Sequence, residues 1–175
     1  PMIISTGMCT TKEIDRTYRA IIRRNSSLSL LNCVSEYPPA YTDINLDVIT
    51  LMQEQFSHAV IGHSDHTPDL FTSYAAVTLG AKIIEKHVII DKNQPGPDQS
   101  VSIDFDDLAE LVDGVRKIES ARGCERKVHG LEKPIRSWAF RSLVSTRNSQ
   151  CGETIFDDMV WSKRPGTGIP SHKMK

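Results

Sequence analysis

Three things are scarce in this 175-residue chain, and each scarcity removes a class of function. Positive charge is not in surplus: 21 Lys and Arg stand against 22 Asp and Glu, a formal net charge of -1. Nothing in the bulk composition therefore draws the chain onto nucleic acid or an anionic membrane, and neither partner is expected. No apolar run approaches the roughly 20 residues that cross a bilayer. The opening PMIISTGM has neither a charged leader segment nor a cleavage site. Cysteine is sparse: Cys9, Cys33, Cys124 and Cys151 are far apart and form no CxxC pair. That spacing argues for reduced thiols in a cytoplasmic protein and against a disulfide framework. Pro1 leads straight into the strand-like MIIS, the pattern of a chain that begins inside a larger protein.

What is present is ordinary for a globular protein, at 39% hydrophobic and 25% charged residues. The length suits one domain, or one domain and a small appendage. Four runs rich in Ile, Val and Leu read as buried parallel strands: residues 2–5, 28–34, 59–62 and 82–89. Helical patterns separate them. Thr10 and Glu13 form a capping box ahead of Ile14, Tyr18, Ile21 and Ile22 at helical spacing. Asn45 is placed to cap a helix carrying Leu46, Ile49, Met52 and Phe56 on one face. A third helix is expected to start at Pro68 and stop at Gly80. The fourth carries Leu108, Leu111, Val112, Val115 and Ile118 and stops at Gly123.

This alternation predicts a parallel α/β sheet. Each unit takes about 30 residues, the share of one unit in an eight-unit barrel of about 250 residues, so four units make half a barrel. No internal sequence repeat accompanies the rhythm. After Gly123 the texture changes. Residues 124–140 read as a polar linker with one aromatic patch. Residues 141–175 read as two short β runs around a glycine turn, the start of a small β-rich module.

In parallel α/β folds the chemistry gathers at the C-terminal ends of the strands. Four polar clusters fall there: Ser5-Thr6-Gly7, then Ser35-Glu36-Tyr37, then His63 through Thr67, then Glu85-Lys86-His87 ahead of residues 91–98. His66 and His87 can converge on a metal and leave positions open for substrate and water. Ligand type alone points to zinc or iron, whereas Mn²⁺ or Mg²⁺ would need further oxygen ligands from water or substrate. The plain alternative is that each imidazole is only locally hydrogen-bonded. Ser5, Ser35 and Ser64, with backbone N–H groups of the first cluster, can hold a phosphate or carboxylate, or serve as turn residues. Asp98 either closes a turn or is held over the site by Pro95-Gly96-Pro97. Tyr37 either packs or donates its hydroxyl. Glu85 is a proton-transfer group or an ion-pair partner of a neighbouring lysine. Asp65 and His63 are expected to orient Ser64 and His66. Spacing alone thus implies a metal-assisted site for a small anionic substrate.

The strings ISTGM, NCVSEYP, GHSDHT, IIEKH, DKNQPGPD and KRPGTGI occur here in the order found in a known family. Together they make the chain resemble the N-acetylneuraminate (sialic acid) synthases, which include legionaminate, pseudaminate and spore-coat polysaccharide synthases. The resemblance covers nearly the whole chain. It implies a (β/α)₈ TIM barrel followed by an antifreeze-like domain, of which this chain would hold the second half of the barrel (1–123), the linker (124–140) and a truncated antifreeze-like part (141–175). It implies an enzyme that condenses phosphoenolpyruvate with an N-acetylated amino sugar aldehyde such as N-acetylmannosamine, releasing phosphate. By the same resemblance His66 and His87 are metal ligands for Mn²⁺ or Mg²⁺. Ser5, Ser35, Tyr37 and Ser64 contact phosphoenolpyruvate, and Asp98 lies near the sugar. Arg164 reaches into the partner's site in a homodimer with swapped antifreeze-like domains. Two lysines and a glutamate of the family site come from the first four barrel strands, so these residues alone are expected to be inactive. Two other readings are weighed: a 3-deoxy-heptulosonate-type synthase, which would want more cations for a second phosphate, and a non-catalytic carbohydrate-binding remnant.

Overall fold

A computed structural model describes residues 1–174. The chain forms two compact units, Pro1–Gly123 and a second from Cys124 onward. In the first, four parallel strands lie side by side in chain order: β1 (Met2–Ser5), β2 (Leu28–Cys33), β3 (Val60–Asp65) and β4 (Ile84–Lys86). The connections carry α1 (Thr11–Ile22), the single turn α2 (Tyr41–Ile44), α3 (Val48–Gln55) and α4 (Phe71–Thr78), and α5 (Phe105–Ala121) follows β4. The predicted α/β alternation is present, with one added turn.

Strand periodicity divides the side chains between two faces. Leu28, Leu30 and Ile61 face the helices and join Tyr18, Ile49, Met52, Phe56, Ala76 and Ala81 in one core, with Ile4 and Ile84 packed against it. The alternate residues, Ser5, Leu31, Cys33, Gly62, Ser64 and Glu85, face the other way. There Ser5 Oγ donates to Glu85 Oε1 at 3.1 Å, although β1 and β4 are the outermost strands. Neighbouring strands lie about 4.8 Å apart, so a flat sheet would hold β1 and β4 roughly 14 Å from each other. The contact requires a curled sheet, concave toward the serines. This is a partial barrel.

Local signals account for the helix ends. Thr10 and Glu13 form the predicted capping box on α1, and Asp104 caps α5 by accepting from the Asp107 N–H. Asn45 does not cap α3. It takes a left-handed conformation at the end of α2, and Asp47 precedes α3 instead. α4 begins at Phe71, three residues after Pro68, because Asp69 first holds the Phe71 N–H in a turn. Of the predicted α5 stripe only Val112 is exposed, at its margin. Ile49 is fully buried beneath β2 and β3. An Ile49→Val change is expected to lower the unfolding free energy by about 1 kcal/mol. It should reduce the urea midpoint at unchanged slope. An unchanged midpoint would mean that α3 does not carry the core.

The second unit contains a helix that the linker reading missed, α6 (Glu132–Ala139), and an antiparallel pair, β5 (Ser142–Ser145) and β6 (Val160–Lys163). The helix lies in the polar stretch because Glu132 accepts from the His129 N–H at its start, and Arg136 lies over the Phe140 ring at its end. All four cysteines are free thiols. Among the described residues no helix is long and apolar enough to cross a membrane.

Candidate active site

β3 runs on through His63, Ser64 and Asp65, beyond the predicted end at Gly62. Alternation sends these polar residues to different faces. Ser64 points into the concavity and donates to Glu85 Oε1 at 2.6 Å, the atom that also accepts from Ser5. Cys33, Ser64 and Glu85 are in register across β2, β3 and β4. They form one polar row at the C-terminal edge of the sheet. Ser35 continues it: a methyl group placed on Gly7 would lie 2.1 Å from Ser35 Oγ and 3.2 Å from Cys33 Sγ. Glycine at position 7 is what lets the first loop close on this row. Burial pushes the Cys33 thiol up, Ser64 and Ser35 partly offset this by hydrogen bonding, and nearby Glu85 adds to the rise. Cys33 is therefore a neutral member of the row. Sequence reading passed over it, although it stands two residues from both Leu31 and Ser35 and so faces the same way.

Beyond the row stand His66 and His87, with ring centroids 5.1 Å apart. The Val34 carbonyl lies 2.8 Å from His66 Nδ1. A carbonyl only accepts, so Nδ1 carries the proton and Nε2 presents a lone pair. His87 Nδ1 faces Asp98 Oδ2 at 3.6 Å. Tyr37 stacks on His66 with centroids 4.3 Å apart, and its hydroxyl lies 3.4 Å from His66 Nε2. Tyr37 also meets His87 edge-on at 5.6 Å. Two imidazoles side by side suit a divalent cation that takes its other ligands from water or substrate oxygens. Among the described residues no group of three or more His, Cys, Asp or Glu side chains is gathered for a metal.

One expectation needs correction. Glu85 does not pair with its neighbour Lys86, because adjacent strand residues face opposite ways. Lys86 instead meets Asp65 at 3.2 Å on the helix side. Asp65 and His63 also face the helix side, and their hydrogen bonds go to residues other than Ser64 and His66. Asp65 accepts from the Thr67 N–H and hydroxyl, from Thr72 and from Ser73. Burial would raise the Asp65 carboxyl, but Ser73, Lys86 and the threonines outweigh it and hold it below the usual range. Burial draws the Lys86 ammonium down, against the pull of Asp65. His63 donates from Nδ1 to the Asn32 carbonyl at 3.0 Å. Burial lowers its pKa and keeps it neutral, and its Nε2 has no partner among the described residues.

The structure thus gathers Ser5, Ser35, Tyr37, Ser64, His66, Glu85, His87 and Asp98 along one edge of the first unit. Arg164 belongs to the second unit, where its Nε donates to the Ala139 carbonyl at 3.1 Å and its guanidinium lies 5.4 Å over Trp138.

The chain is similar to several known proteins. A family model described as the NeuB family matches residues 1–127. The N,N'-diacetyllegionaminic acid synthase of Legionella pneumophila is 38% identical over 175 residues, covering 97% of this chain and 49% of the relative. The crystal structure of the spore coat polysaccharide biosynthesis protein SpsE of Bacillus subtilis aligns over 97% of this chain and 52% of that one, at 35% identity and a TM-score of 0.65. The N-acetylneuraminic acid synthetase of Leptospira borgpetersenii, solved with citrate, aligns over 76% of this chain and 47% of its own, at 30% identity and a TM-score of 0.68. The chain spans about half the length of the curated relatives it matches.

Proposed function

The chain belongs to the NeuB family of sialic-acid-type synthases, and from that premise we propose that it is the second half of a nonulosonate synthase. In this reading the first unit completes a (β/α)₈ barrel with four preceding strands, and the second begins an antifreeze-like domain. The reaction joins phosphoenolpyruvate to an N-acetylated amino sugar aldehyde of the N-acetylmannosamine type. The observation that carries the reading is the convergence of the serine and glutamate row with two histidines at the C-terminal strand edge.

The residues divide the work by chemistry. Ser5, Ser35 and Ser64 orient the phosphate and carboxylate of phosphoenolpyruvate, with the Tyr37 hydroxyl beside them. This requires Ser5 and Ser64 to turn their hydroxyls from Glu85 to the ligand. C3 of phosphoenolpyruvate supplies the electron pair for the new bond to the aldehyde carbon, so the protein needs no nucleophile of its own. C2 becomes electron-poor, a water oxygen adds there, and phosphate departs as the C2 carbonyl forms. Glu85, released from the serines, is the group placed to carry the proton of that water. Asp98 receives a sugar hydroxyl and steadies His87. His66 and His87 would hold a divalent cation, Mn²⁺ or Mg²⁺, and such an ion would supply Lewis-acid polarisation of the aldehyde oxygen. Arg164 acts in the partner's site of a homodimer, and the protein works in the cytoplasm.

The hydrogen bonds of the row involve serine and glutamate and no Lys or Arg side chain, so in this reading the charge of phosphoenolpyruvate is met by the four preceding strands. This chain alone is expected to release no phosphate from phosphoenolpyruvate and N-acetylmannosamine. Coexpression with the first half of the Bacillus subtilis relative should restore release, and His66→Ala should abolish it again. Release that persists in the His66→Ala variant would contradict the assignment.

A further inference from the structure

The residues immediately before the two candidate metal ligands form a pair of their own. Asp65 precedes His66, and Lys86 precedes His87. Asp65 and Lys86 are register partners at the last step of the β3–β4 ladder. Their side chains meet at 3.2 Å and are 1% and 3% exposed. The Lys86 ammonium also donates to the Thr67 carbonyl, while Asp65 holds Thr67, Thr72 and Ser73. The network therefore ties the end of β3, the start of α4 and the end of β4 at one point, directly behind the two imidazoles.

A buried ion pair is a poor source of stability, since desolvation consumes most of its attraction. What it supplies is direction: ionic and hydrogen-bonding partners are satisfied in one arrangement, where apolar side chains would accept several. The β3–β4 ladder ends at this step, and the chain after β4 pairs with Ile103 instead, so the ladder itself no longer sets the spacing of the two strands. His66 and His87 are the next residues on each. We propose that the Asp65–Lys86 pair is a positioning element that fixes the separation of the His66 and His87 imidazoles. Their use as metal ligands rests on the functional reading above; the positioning claim concerns the imidazoles themselves.

The test compares the chain with an Asp65→Asn/Lys86→Met variant, which removes both charges together and leaves no unpaired buried ion. Imidazole ¹H–¹⁵N spectra are recorded without metal, and Mn²⁺ affinity is measured by calorimetry. The wild-type chain should show a His66 Nδ1–H signal protected by the Val34 carbonyl, identified by its loss in His66→Ala. In the double variant that signal should shift or be lost to solvent exchange while far-UV circular dichroism keeps the helical content. Mn²⁺ affinity should fall about tenfold to a hundredfold. Ile49→Ala serves as the control, because it lowers Tm through the core and should leave the imidazole signals in place. If the double variant does not fold, Lys86→Gln is read in the same way. Imidazole signals unchanged from wild type overturn the proposal, whatever the metal affinity does. Equal Mn²⁺ binding by wild type and His66→Ala would instead defeat the metal reading, and the spectra would still decide the positioning claim.

Discussion

Asp65→Ala is expected to cost the first unit about 3–5 kcal/mol, the loss typical when one partner of a buried ion pair is removed. The variant strands the Lys86 ammonium, 3% exposed, with only the Thr67 oxygens as acceptors among the described residues. It also leaves Thr72 and Ser73 without the carboxylate they donate to. The contribution has a defined pH dependence. The folded carboxyl is held below its ordinary value of 3.8, so the folded state binds this proton less readily than the unfolded chain does. The stabilisation is therefore complete above about pH 5 and is lost as pH falls through the folded value. Urea unfolding of wild type and variant from pH 7 to pH 3 should show a gap that is constant down to about pH 5 and narrows below it. A gap that stays constant to pH 3 would mean that Asp65 is not the ionised partner.

Gly62→Val should be similarly severe. Gly62 faces the concavity between Leu31 and Ile83, and a methyl group there would lie 2.5 Å from Leu31 Cδ2 and 2.6 Å from the Ile83 carbonyl oxygen. The leucine can rotate. The carbonyl cannot, because it accepts from the His63 N–H in the β3–β4 ladder. Overpacking costs about 1–3 kcal/mol where side chains can adapt, and a backbone clash lies at the upper end of that range or beyond it. The variant should unfold at much lower urea than wild type. A midpoint within experimental error of wild type would show that β3 and β4 are not locked as described.

Helix α1 was legible because its signals are local. The apolar spacing of Ile14, Tyr18, Ile21 and Ile22 and the Thr10–Glu13 box need no knowledge of the rest of the chain. The end of β3 was not legible, because His63, Ser64 and Asp65 look like loop residues. They belong to the strand only because Asn32, Glu85 and Lys86, from neighbouring strands, satisfy them in turn. The same period of two that sets Ser64 toward the site sets Asp65 and Lys86 behind it, and applying it would have excluded a Glu85–Lys86 pair. It would also have placed Cys33 beside the serines. The curl that brings Ser5 to Glu85 is a tertiary property with no local signature. The short motifs identified His66 and His87 as a pair, and the sheet explains the pairing, since both stand at successive strand ends on the same edge. Asn45 shows the ambiguity of a residue suited to both helix starts and left-handed stops.

The central claim is that His66 and His87 together hold the cation of a synthase half-site. Calorimetric titration of Mn²⁺ into this chain, His66→Ala and His87→Ala tests it most directly. The account predicts one Mn²⁺ per chain in the wild type, with binding lost or weakened at least a hundredfold in each variant. Undiminished binding in either variant, or none in the folded wild-type chain, would contradict it.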